Sequence, residues 1–352
     1  PGIEYMPGSY PEFGMAEPLW VMEKAVEQIK DLNCVLTRCH WQYDKRYFDL
    51  LDEKGILAQE EIPWWQAPGN LTPELEDLAK KQIDEMIERD FNHPSIIAWG
   101  VSNEVFYNTD YRRLIRYAKD YNSGRFVTVV SNEIFDRLEN DESLLGDIPT
   151  WNDYTGTWHG KSREETPDKL ALINNRALKG RPLLITEHGL CVPRFVGADA
   201  RRVVEMTYHY DQWAKNKFII GVIYFSLNDY RTHVGEAGFG RYKSRVHGLS
   251  SMWFDKKPSF QVYKGLAAPI YVENLHIRAS GKEAQVVLKV KDDLPSYTLR
   301  KYTVRWKTVT GMKKLELPDL KPGERYTFEI DGLDPLSRPD VKIFRPTGYL
   351  VT

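Results

Sequence analysis

Short apolar stretches alternate with amphipathic stretches along the first three quarters of the chain. The short stretches are typical of buried β-strands, and the stretches between them repeat apolar residues at a spacing near 3.6, which is typical of helices. The helical pattern is clearest in "PLWVMEKAVEQIKDL", "KRYFDLLDEKG", "PELEDLAKKQIDEMIERD", "YRRLIRYAKDY" and "RRVVEMTYHYDQWAKNK". Eight strands are predicted, at residues 2–5, 34–38, 56–59, 96–101, 126–131, 153–157, 183–186 and 221–225.

Strands that alternate with helices predict a protein of the α/β class. Eight such units within about 265 residues favour a (β/α)8 TIM barrel, in which eight parallel strands close into a cylinder surrounded by helices. The rival architecture is a doubly wound open sheet. It is disfavoured because no glycine-rich phosphate-binding sequence follows the first predicted strand.

The pattern changes after "KKPSFQVYKGLAAP". Apolar and polar residues then alternate in "EAQVVLKV", "YTVRWKTV" and "RYTFEIDGL", which are separated by turns containing Pro and Gly. We therefore predict a (β/α)8 barrel at residues 1–268 and a small all-β, immunoglobulin-like sandwich at residues 269–352. No reactive site is expected in the sandwich, because none of its strands ends in a cluster of carboxylates.

The charges of the chain nearly balance, since 48 Lys and Arg residues stand against 50 Asp and Glu residues, for a net charge of -2. No overall basic field attracts nucleic acid or an anionic membrane surface, so a neutral substrate is favoured. Aromatic residues reach 12%, which suits stacking against sugars or bases as well as core packing. The three cysteines, Cys34, Cys39 and Cys191, have no metal-ligand spacing, and neither a metal nor another cofactor is expected.

The beginning of the chain gives no targeting signal. It has no basic segment followed by an apolar one, and no apolar stretch reaches the ~18 residues that a membrane helix needs. The first residue is Pro1 rather than Met. The sequence is therefore interpreted as a processed or excised piece, and its cellular compartment is not predicted.

Two predicted strands end in carboxylates. In "HPSIIAWGVSNEVF" an apolar strand ends at Asn103 and Glu104, and in "RPLLITEHG" another ends at Glu187. The carboxyl ends of barrel strands carry the active sites of TIM barrels, so both glutamates are predicted to face one pocket. Two facing carboxylates suit glycoside hydrolysis, in which one protonates the leaving oxygen and the other attacks or stabilises the anomeric carbon. The alternative interpretation is a pair of surface glutamates that cap loops.

The sequence "SNE" occurs a second time, at residues 131–133, directly after another predicted strand. Here Asn132 is interpreted as the N-cap of a short helix in "EIFDRLEN", and Glu133 as an acidic residue in its first turn. We therefore expect Glu133 to lie outside the pocket or to serve only as support.

Five segments carry a resemblance to a known family. "NHPSIIAWGVSNE" and "RPLLITEHG" resemble the strand-four and strand-seven motifs of glycoside hydrolase family 2, the family of β-galactosidases, β-glucuronidases and β-mannosidases. "NCVLTRCHWQYDKRYFDLLDEKGILAQEEIPWW", "GVIYFSLNDYRT" and "VHGLSSMWFDKKPSFQVYKGL" resemble its segment from strand two to strand three, its strand eight and the end of its barrel. The resemblance covers about residues 2–266.

The resemblance implies a retaining exo-acting β-glycosidase, with β-galactosidase as the leading activity and β-glucuronidase and β-mannosidase as alternatives. It implies that Glu104 is the acid/base, that Glu187 is the nucleophile and that Asn103 binds the sugar 2-hydroxyl. The two carboxyl groups are expected within roughly 5–6 Å of each other. Arg38 or His40 is expected to keep the nucleophile ionised. The competing hypotheses are a carbohydrate-binding barrel without turnover and a structural module built around the sandwich.

Further substrate contacts are expected from aromatic residues in loops and from the end of the barrel. Each aromatic residue is about as suited to packing in the core or at the rim as to stacking on a sugar. The candidates are Trp64, Trp65, Trp158, Phe225, Asp229 and Arg245.

The chain departs from the family pattern at several positions. Phe225 stands where strand eight usually carries a Trp, and "TRCH" stands where "RTSH" is common. The tyrosine that orients the nucleophile from strand six has three candidate counterparts in "NDYTGTWHGK", which are Tyr154, Trp158 and His159. These differences affect the substrate contacts more than the type of reaction.

One departure concerns the choice of sugar. β-Glucuronidases bind the uronate with an Asn-x-Lys pair, and the corresponding stretch here is "RVHG", with Arg245 and His247. A neutral galactoside is expected if Arg245 points to solvent, and a glucuronide if it enters the pocket. The family normally carries a jelly roll and an immunoglobulin-like domain before the barrel, so the chain is interpreted either as a fragment of a longer enzyme or as one whose partner segments were removed. An oligomer remains an open alternative.

Overall fold

The computed structural model describes residues 1–67, 71–105, 111–121 and 124–352, which form two units. The first contains Pro1–Ile29 and Cys34–Phe260, and the second contains Lys30–Asn33 and Gln261–Thr352. The domain boundary between residues 268 and 269 stays a prediction. None of the helices in these ranges combines the length and the apolar composition that crossing a bilayer would require.

The first unit is built on eight parallel strands. They are β1 to β8, at Gly2–Ile3, Leu36–Cys39, Leu57–Glu61, Ile96–Asn103, Phe126–Val130, Thr150–Asn152, Leu183–Glu187 and Ile219–Tyr224. Their spatial order is β5-β4-β3-β2-β1-β8-β7-β6. A parallel bridge between Ser131 and Trp151 brings β6 against the end of β5, so the sheet is nearly closed. The predicted α/β class and (β/α)8 TIM barrel are confirmed.

The helices follow the amphipathic stretches of the sequence. Local signals set several of their ends: the Thr72 hydroxyl accepts a hydrogen bond from the Leu75 backbone N–H at 3.3 Å, and Pro73 stands directly after this cap. Gly55 ends another helix in the left-handed conformation, with φ of 64°. In the described ranges, α1 to α8 are Leu19–Asp31, Lys45–Lys54, Pro73–Asp90, Arg112–Tyr121, Ile134–Arg137, Thr166–Ile173, Ala198–Ala214 and Pro258–Leu266.

The sixth strand lies before the position that the sequence pattern predicts. The strand is Thr150–Asn152, and residues 153–157 form the loop after it, so this prediction is wrong. The reason is an Asx turn: Asp153 Oδ1 accepts a hydrogen bond from the Thr155 backbone N–H at 3.1 Å. The turn ends the strand although Tyr154 and Thr155 have strand-forming side chains. The other seven predicted strands overlap the observed ones.

A short antiparallel hairpin follows β8. Its strands are β9, Tyr230–Arg231, and β10, Ser244–Arg245. Arg231 pairs with Ser244, and Arg245 pairs with Tyr230. The hairpin therefore presents two arginines from adjacent strands.

The second unit consists of two antiparallel sheets around one apolar core. Their strands, β11 to β16, are Ile270–Ile277, Ala284–Val290, Thr303–Thr308, Gly311–Glu316, Arg325–Ile330 and Val341–Phe344. The sheet orders are β11-β12-β15 and β14-β13-β16. Val286, Leu288, Val304, Trp306 and Ile343 lie in the core, and burial alternates along β12 as a one-sided strand requires. The predicted small all-β sandwich is confirmed.

Gly100 in β4 makes room for a charged side chain inside the barrel. A Cβ atom at this position would lie 2.2 Å from Cγ and 2.9 Å from Cδ of Glu61 on the neighbouring strand β3. Glu61 is fully buried, so it has no solvent space to move into. The close approach of Glu61 therefore requires glycine here.

Replacing Gly100 with Ala is expected to destabilise the protein by about 1–3 kcal/mol, because the added methyl group overlaps Glu61 in a close-packed interior. Urea or thermal unfolding measures the change. Gly265→Ala is the control, because Gly265 lies in α8 and its added Cβ would meet no atom within 4 Å. The control is expected to be neutral or slightly stabilising. Equal stabilities of the two variants would contradict the close contact.

Candidate active site

A cavity of about 590 Å³ opens where the barrel strands end. Asn103 and Glu104 reach it from the end of β4, and Glu187 reaches it from the end of β7. The hairpin after β8 contributes Arg231 and Arg245. Both glutamates that the sequence singles out therefore line one cavity.

Arg38, on β2, organises the floor of this cavity from a fully buried position. Its Nε and Nη2 donate to the two carboxylate oxygens of Glu61, at 2.6 and 2.9 Å. Its Nη1 donates to Glu187 Oε1 at 2.5 Å and to Glu4 Oε1 at 3.0 Å. One guanidinium therefore binds three carboxyl groups, from β3, from β7 and from the residue after β1, and its contact with Glu61 has the paired geometry that arginine favours.

Three buried carboxyl groups around one guanidinium cannot all be ionised cheaply. Burial raises the pKa of Glu4 well above its ordinary value, and Arg38 only partly opposes this rise in pKa. Burial also raises the pKa of Glu187. The charge of Arg38 lowers this pKa, and the charge of Glu104 raises it further. We interpret Glu4 as the group that carries a proton near neutral pH, which leaves Arg38 to stabilise the anions of Glu61 and Glu187.

Glu187 receives a second hydrogen bond from the loop after β6. The Tyr154 hydroxyl donates to Glu187 Oε2 at 2.7 Å. Burial, followed by the charge of Glu187, raises the pKa of Tyr154 well above its ordinary value, so the hydroxyl keeps its proton. Donors therefore hold both oxygens of Glu187, which fixes its orientation and favours its ionised form.

Glu104 has a different set of neighbours. Asn152 Nδ2 donates to Glu104 Oε1 at 2.8 Å and also approaches Asn103 Oδ1 at 3.1 Å. Trp65 Nε1 donates to Glu104 Oε2 at 3.1 Å. Neutral donors therefore hold Glu104, and the half-exposed Trp65 places one of them at the open side of the cavity.

His40 and Arg245 add two basic side chains to the cavity. His40 Nε2 is 3.4 Å from Glu187 Oε1. Arg245 lines the cavity with a side chain that is 22% exposed, and its guanidinium carbon lies 5.4 Å from the centre of the Trp158 ring. Arg245 Nε lies 3.4 Å from Glu236 Oε2. Arg245 therefore lines the pocket with part of its charge already paired, so it meets neither expectation fully: it does not point to solvent, and its charge is not free for a uronate.

Most of the sequence-predicted site residues line the cavity or contact a residue that does. Arg38 lies beneath it and bonds to Glu187. Two candidates have other surroundings: Trp64 Nε1 donates to Gln82 Oε1, and Asp229 accepts from Lys257 Nζ and from the Gly248 backbone N–H. The candidates that line it are Asn103, Glu104, Glu187, His40, Trp65, Tyr154, Trp158, His159, Phe225, Arg245 and His247.

The second "SNE" sequence also differs from its interpretation. Glu133 is not among the described lining residues, and its Oε2 accepts from Arg137 Nη2 at 2.6 Å. Asn132, however, lines the cavity, and Glu133 rather than Asn132 is the residue before α5. The prediction that Asn132 caps this helix is therefore wrong.

Four further residues belong to the site. The sequence either does not identify them or offers them only as one of several candidates. Asn152 falls outside any predicted strand because the prediction of strand six is shifted, although its position directly after Trp151 at a strand end is a usable signal. Tyr154, one of three candidates, is the one that bonds to Glu187. Glu4 and Glu61 are charged residues at or just after strand ends, and only their burial beside Arg38 marks them as part of the site.

The barrel sequence also matches a known family. The match is to the model described as "Glycosyl hydrolases family 2, TIM barrel domain" over residues 11–219, which is more than half of the chain. The chain belongs to glycosyl hydrolase family 2. The resemblance drawn from the strand-four and strand-seven motifs is confirmed.

Curated members of glycosyl hydrolase family 2 resemble the chain at modest identity. A β-galactosidase of Thermoanaerobacterium thermosulfurigenes is 31% identical over 277 residues, which are 74% of this chain and 36% of that protein. A β-glucuronidase of Bacteroides fragilis is 26% identical over 219 residues, which are 54% of this chain and 30% of that protein. The chain spans about a third of the length of these two relatives.

Two solved glycosidase structures match the fold of the chain. A β-galacturonidase from Eisenbergiella tayi, bound to glycerol, matches with a TM-score of 0.66 and 25% identity over 78% of this chain and 52% of its own. A β-glucuronidase of Bacteroides uniformis matches with a TM-score of 0.65 and 19% identity over 97% of this chain and 43% of its own. The second match shows the fold alone.

Replacing Glu4 with Gln is expected to change how stability depends on pH. A carboxyl group whose pKa is higher in the folded than in the unfolded protein takes stability away as the pH rises above its unfolded pKa. The amide of the variant would accept the same hydrogen bond from Arg38 but would not titrate. The difference in Tm, variant minus wild type, should therefore increase between about pH 5 and about pH 8.

Thermal unfolding followed at several pH values measures this difference. Glu133→Gln is the control, because the Glu133 side chain is 44% exposed. Its difference in Tm should stay nearly constant. A constant difference for Glu4→Gln as well would contradict the protonated state of Glu4.

Proposed function

We propose that this barrel is the catalytic domain of a retaining exo-β-glycosidase, with Glu187 as nucleophile and Glu104 as acid/base. The observation that carries this proposal is the contrast between the two carboxyl groups. Glu187 is held by a guanidinium and a tyrosine hydroxyl, whereas Glu104 is held by the neutral donors of Asn152 and Trp65. Two carboxyl groups with different surroundings in one pocket are suited to the two roles of a glycosidase.

The reaction follows a double displacement. Protonated Glu104 gives its proton to the leaving oxygen while Glu187 attacks the anomeric carbon, so the glycosidic bond breaks and a glycosyl ester forms. Glu104 then takes a proton from water, the water oxygen attacks the same carbon, and Glu187 leaves as a carboxylate. The expected separation of roughly 5–6 Å between the carboxyl groups stays a prediction.

Two neighbours of the reacting groups have defined tasks in this proposal. Arg38 stabilises the Glu187 anion before attack and again when the ester is hydrolysed. Trp65 donates to the Glu104 oxygen on the open side of the cavity, and this bond must be released when that oxygen turns to the glycosidic oxygen. Asn103 is proposed to bind the sugar 2-hydroxyl, because its Oδ1 is fixed by Asn152 at the cavity wall.

Replacing Glu187 with Gln is expected to lower kcat at least about 1,000-fold, because the amide cannot form the covalent intermediate. Glu133→Gln is the matched control from the second "SNE" sequence and should keep kcat within about tenfold. A panel of nitrophenyl glycosides, assayed on the full-length protein, gives the rates. Nuclear magnetic resonance of the first-formed sugar should show the β-anomer, as retention requires. Equal losses in both variants, or a first-formed α-anomer, would contradict the proposal.

For the sugar itself, similarity favours a neutral β-galactoside. The curated β-galactosidase relative is 31% identical to the chain. The nearly balanced net charge of the chain also suits a neutral substrate. β-Galactosidase therefore remains the leading activity, with the carbohydrate as its partner and with a contribution from the domains expected before the barrel.

A β-uronide is the second candidate, and Arg245 favours it. A uronate buried in the pocket needs a fixed cationic donor for its carboxylate. Arg245 lines the cavity, and Arg231 lines it from the neighbouring strand of the hairpin. The pairing of Arg245 with Glu236 weakens this argument, because it already offsets part of the charge.

The Arg245→Ala variant separates the two sugars. If the substrate is a uronide, kcat/KM for the glucuronide or galacturonide should fall about tenfold or more, while kcat/KM for the galactoside changes little. Arg194→Ala is the control, because Arg194 also lies over the Trp158 ring, at 5.7 Å, and is not among the described lining residues. A wild-type preference for the galactoside, unchanged in Arg245→Ala, would contradict the uronide.

A further inference from the structure

We propose that Glu4, His40 and Glu187 form an inhibitory site for a divalent cation of the zinc class, on the inner wall of the cavity. The inhibition rests on the proposed role of Glu187, because a cation bound to the nucleophile would block its attack. The binding itself depends only on the three side chains. A regulatory metal at this position would make the activity respond to free zinc.

Two of the three distances between the ligand atoms match the spacing of a tetrahedral site. His40 Nε2 lies 3.4 Å from Glu187 Oε1 and 3.5 Å from Glu4 Oε2, and the three ligand atoms all lie within 4.8 Å of one another. Zinc takes nitrogen and oxygen ligands at about 2.0–2.2 Å, which places neighbouring ligands of a tetrahedron roughly 3.3–3.6 Å apart. An ion would therefore bind with small side-chain shifts.

An unsatisfied oxygen points into the same place. Glu4 Oε2 is buried and has no hydrogen-bond partner among residues 1–67, 71–105, 111–121 and 124–352. Its other oxygen, Oε1, accepts from Arg38, so the carboxyl group cannot simply rotate away from His40. A cation between Glu4 and His40 would take the place of the Glu4 proton and give this buried oxygen a partner.

The net negative charge of the group around Arg38 also favours binding of a cation. Arg38 is the guanidinium that binds Glu4, Glu61 and Glu187, and even with Glu4 protonated its one positive charge faces two carboxylates. A dication that displaces the proton of Glu4 would bring the charge of this group to zero. His40 and Glu187 line the cavity, and the His40 side chain is 13% exposed, so an ion can enter from the substrate side.

Two contacts limit the affinity. Arg38 Nη1 is 2.5 Å from Glu187 Oε1 and would repel the ion. If the ion binds His40 Nε2, the ring proton must lie on Nδ1, and Nδ1 can then no longer accept a hydrogen bond from Arg38 Nη2. This contact measures 3.5 Å, at the limit of a hydrogen bond, so its loss costs little. We therefore expect a reversible inhibitory ion and not a permanently bound structural one.

Zinc chloride alone, titrated into the full chain without substrate, tests the site by calorimetry. Cobalt(II) is the second probe, since a tetrahedral site gives strong visible absorption bands. Wild type should bind one zinc ion, and Glu4→Gln and His40→Gln should each weaken binding at least about tenfold. His93→Gln is the control, because His93 pairs with Asp52 and is not among the described lining residues of the cavity; its zinc affinity should equal that of wild type.

The outcomes separate this proposal from the proposed function. Zinc binding that depends on Glu4 and His40 supports the site, even in a protein without glycosidase activity, and in that case only the function of Glu187 is contradicted. Zinc affinity that is unchanged in Glu4→Gln and His40→Gln overturns the site, whatever the activity. In an active protein, inhibition constants for zinc that rise in parallel with the dissociation constants support the inhibitory role, and bound zinc without inhibition overturns it.

Discussion

The buried guanidinium of Arg38 is the interaction on which the rest of the site depends. It binds a carboxyl group on β3, one on β7 and one directly after β1, at distances from 2.5 to 3.0 Å. Breaking a buried pair on one side leaves a charge in a medium that cannot solvate it, at a cost of several kcal/mol. Arg38 therefore fixes where these strands end relative to one another, and it fixes the Glu187 anion with them.

Asn152 has the corresponding role on the other side of the cavity. Its Nδ2 donates to Glu104 and Asn103 on β4, and its Oδ1 accepts from the Thr186 hydroxyl on β7 at 2.8 Å. The strand that carries it is only three residues long, yet it ties the two strands that carry the glutamates. An arginine and a tyrosine thus hold one carboxyl group, and an asparagine and a tryptophan hold the other, so two identical side chains have different surroundings.

The sequence predicts those parts of this arrangement that produce a recognisable pattern of apolar residues along the chain. The apolar strands ending at Glu104 and Glu187 stand out because strand and carboxylate are adjacent in the chain, and the barrel follows from the alternation of elements. Glu4 and Glu61 produce no such pattern, because the sequence does not distinguish a buried glutamate from an exposed one. Only the structure shows that they are buried near Arg38 and Gly100. The position of β6 is not predictable in this way, because three residues are too few to show a period, and its shift also hides Asn152.

The hairpin of Tyr230–Arg231 and Ser244–Arg245 lies outside the eight barrel strands. Its arginines line the cavity, while the buried cluster of Arg38 belongs to the barrel itself. Under the proposed function, the hairpin arginines can therefore be exchanged, shortened or recharged without touching Glu187, the proposed nucleophile. In evolutionary terms we expect two rates of change, a slow one in the barrel wall, where the side chains depend on one another, and a faster one in the hairpin. Engineering a new sugar preference would accordingly begin with this hairpin, which can be replaced as a unit.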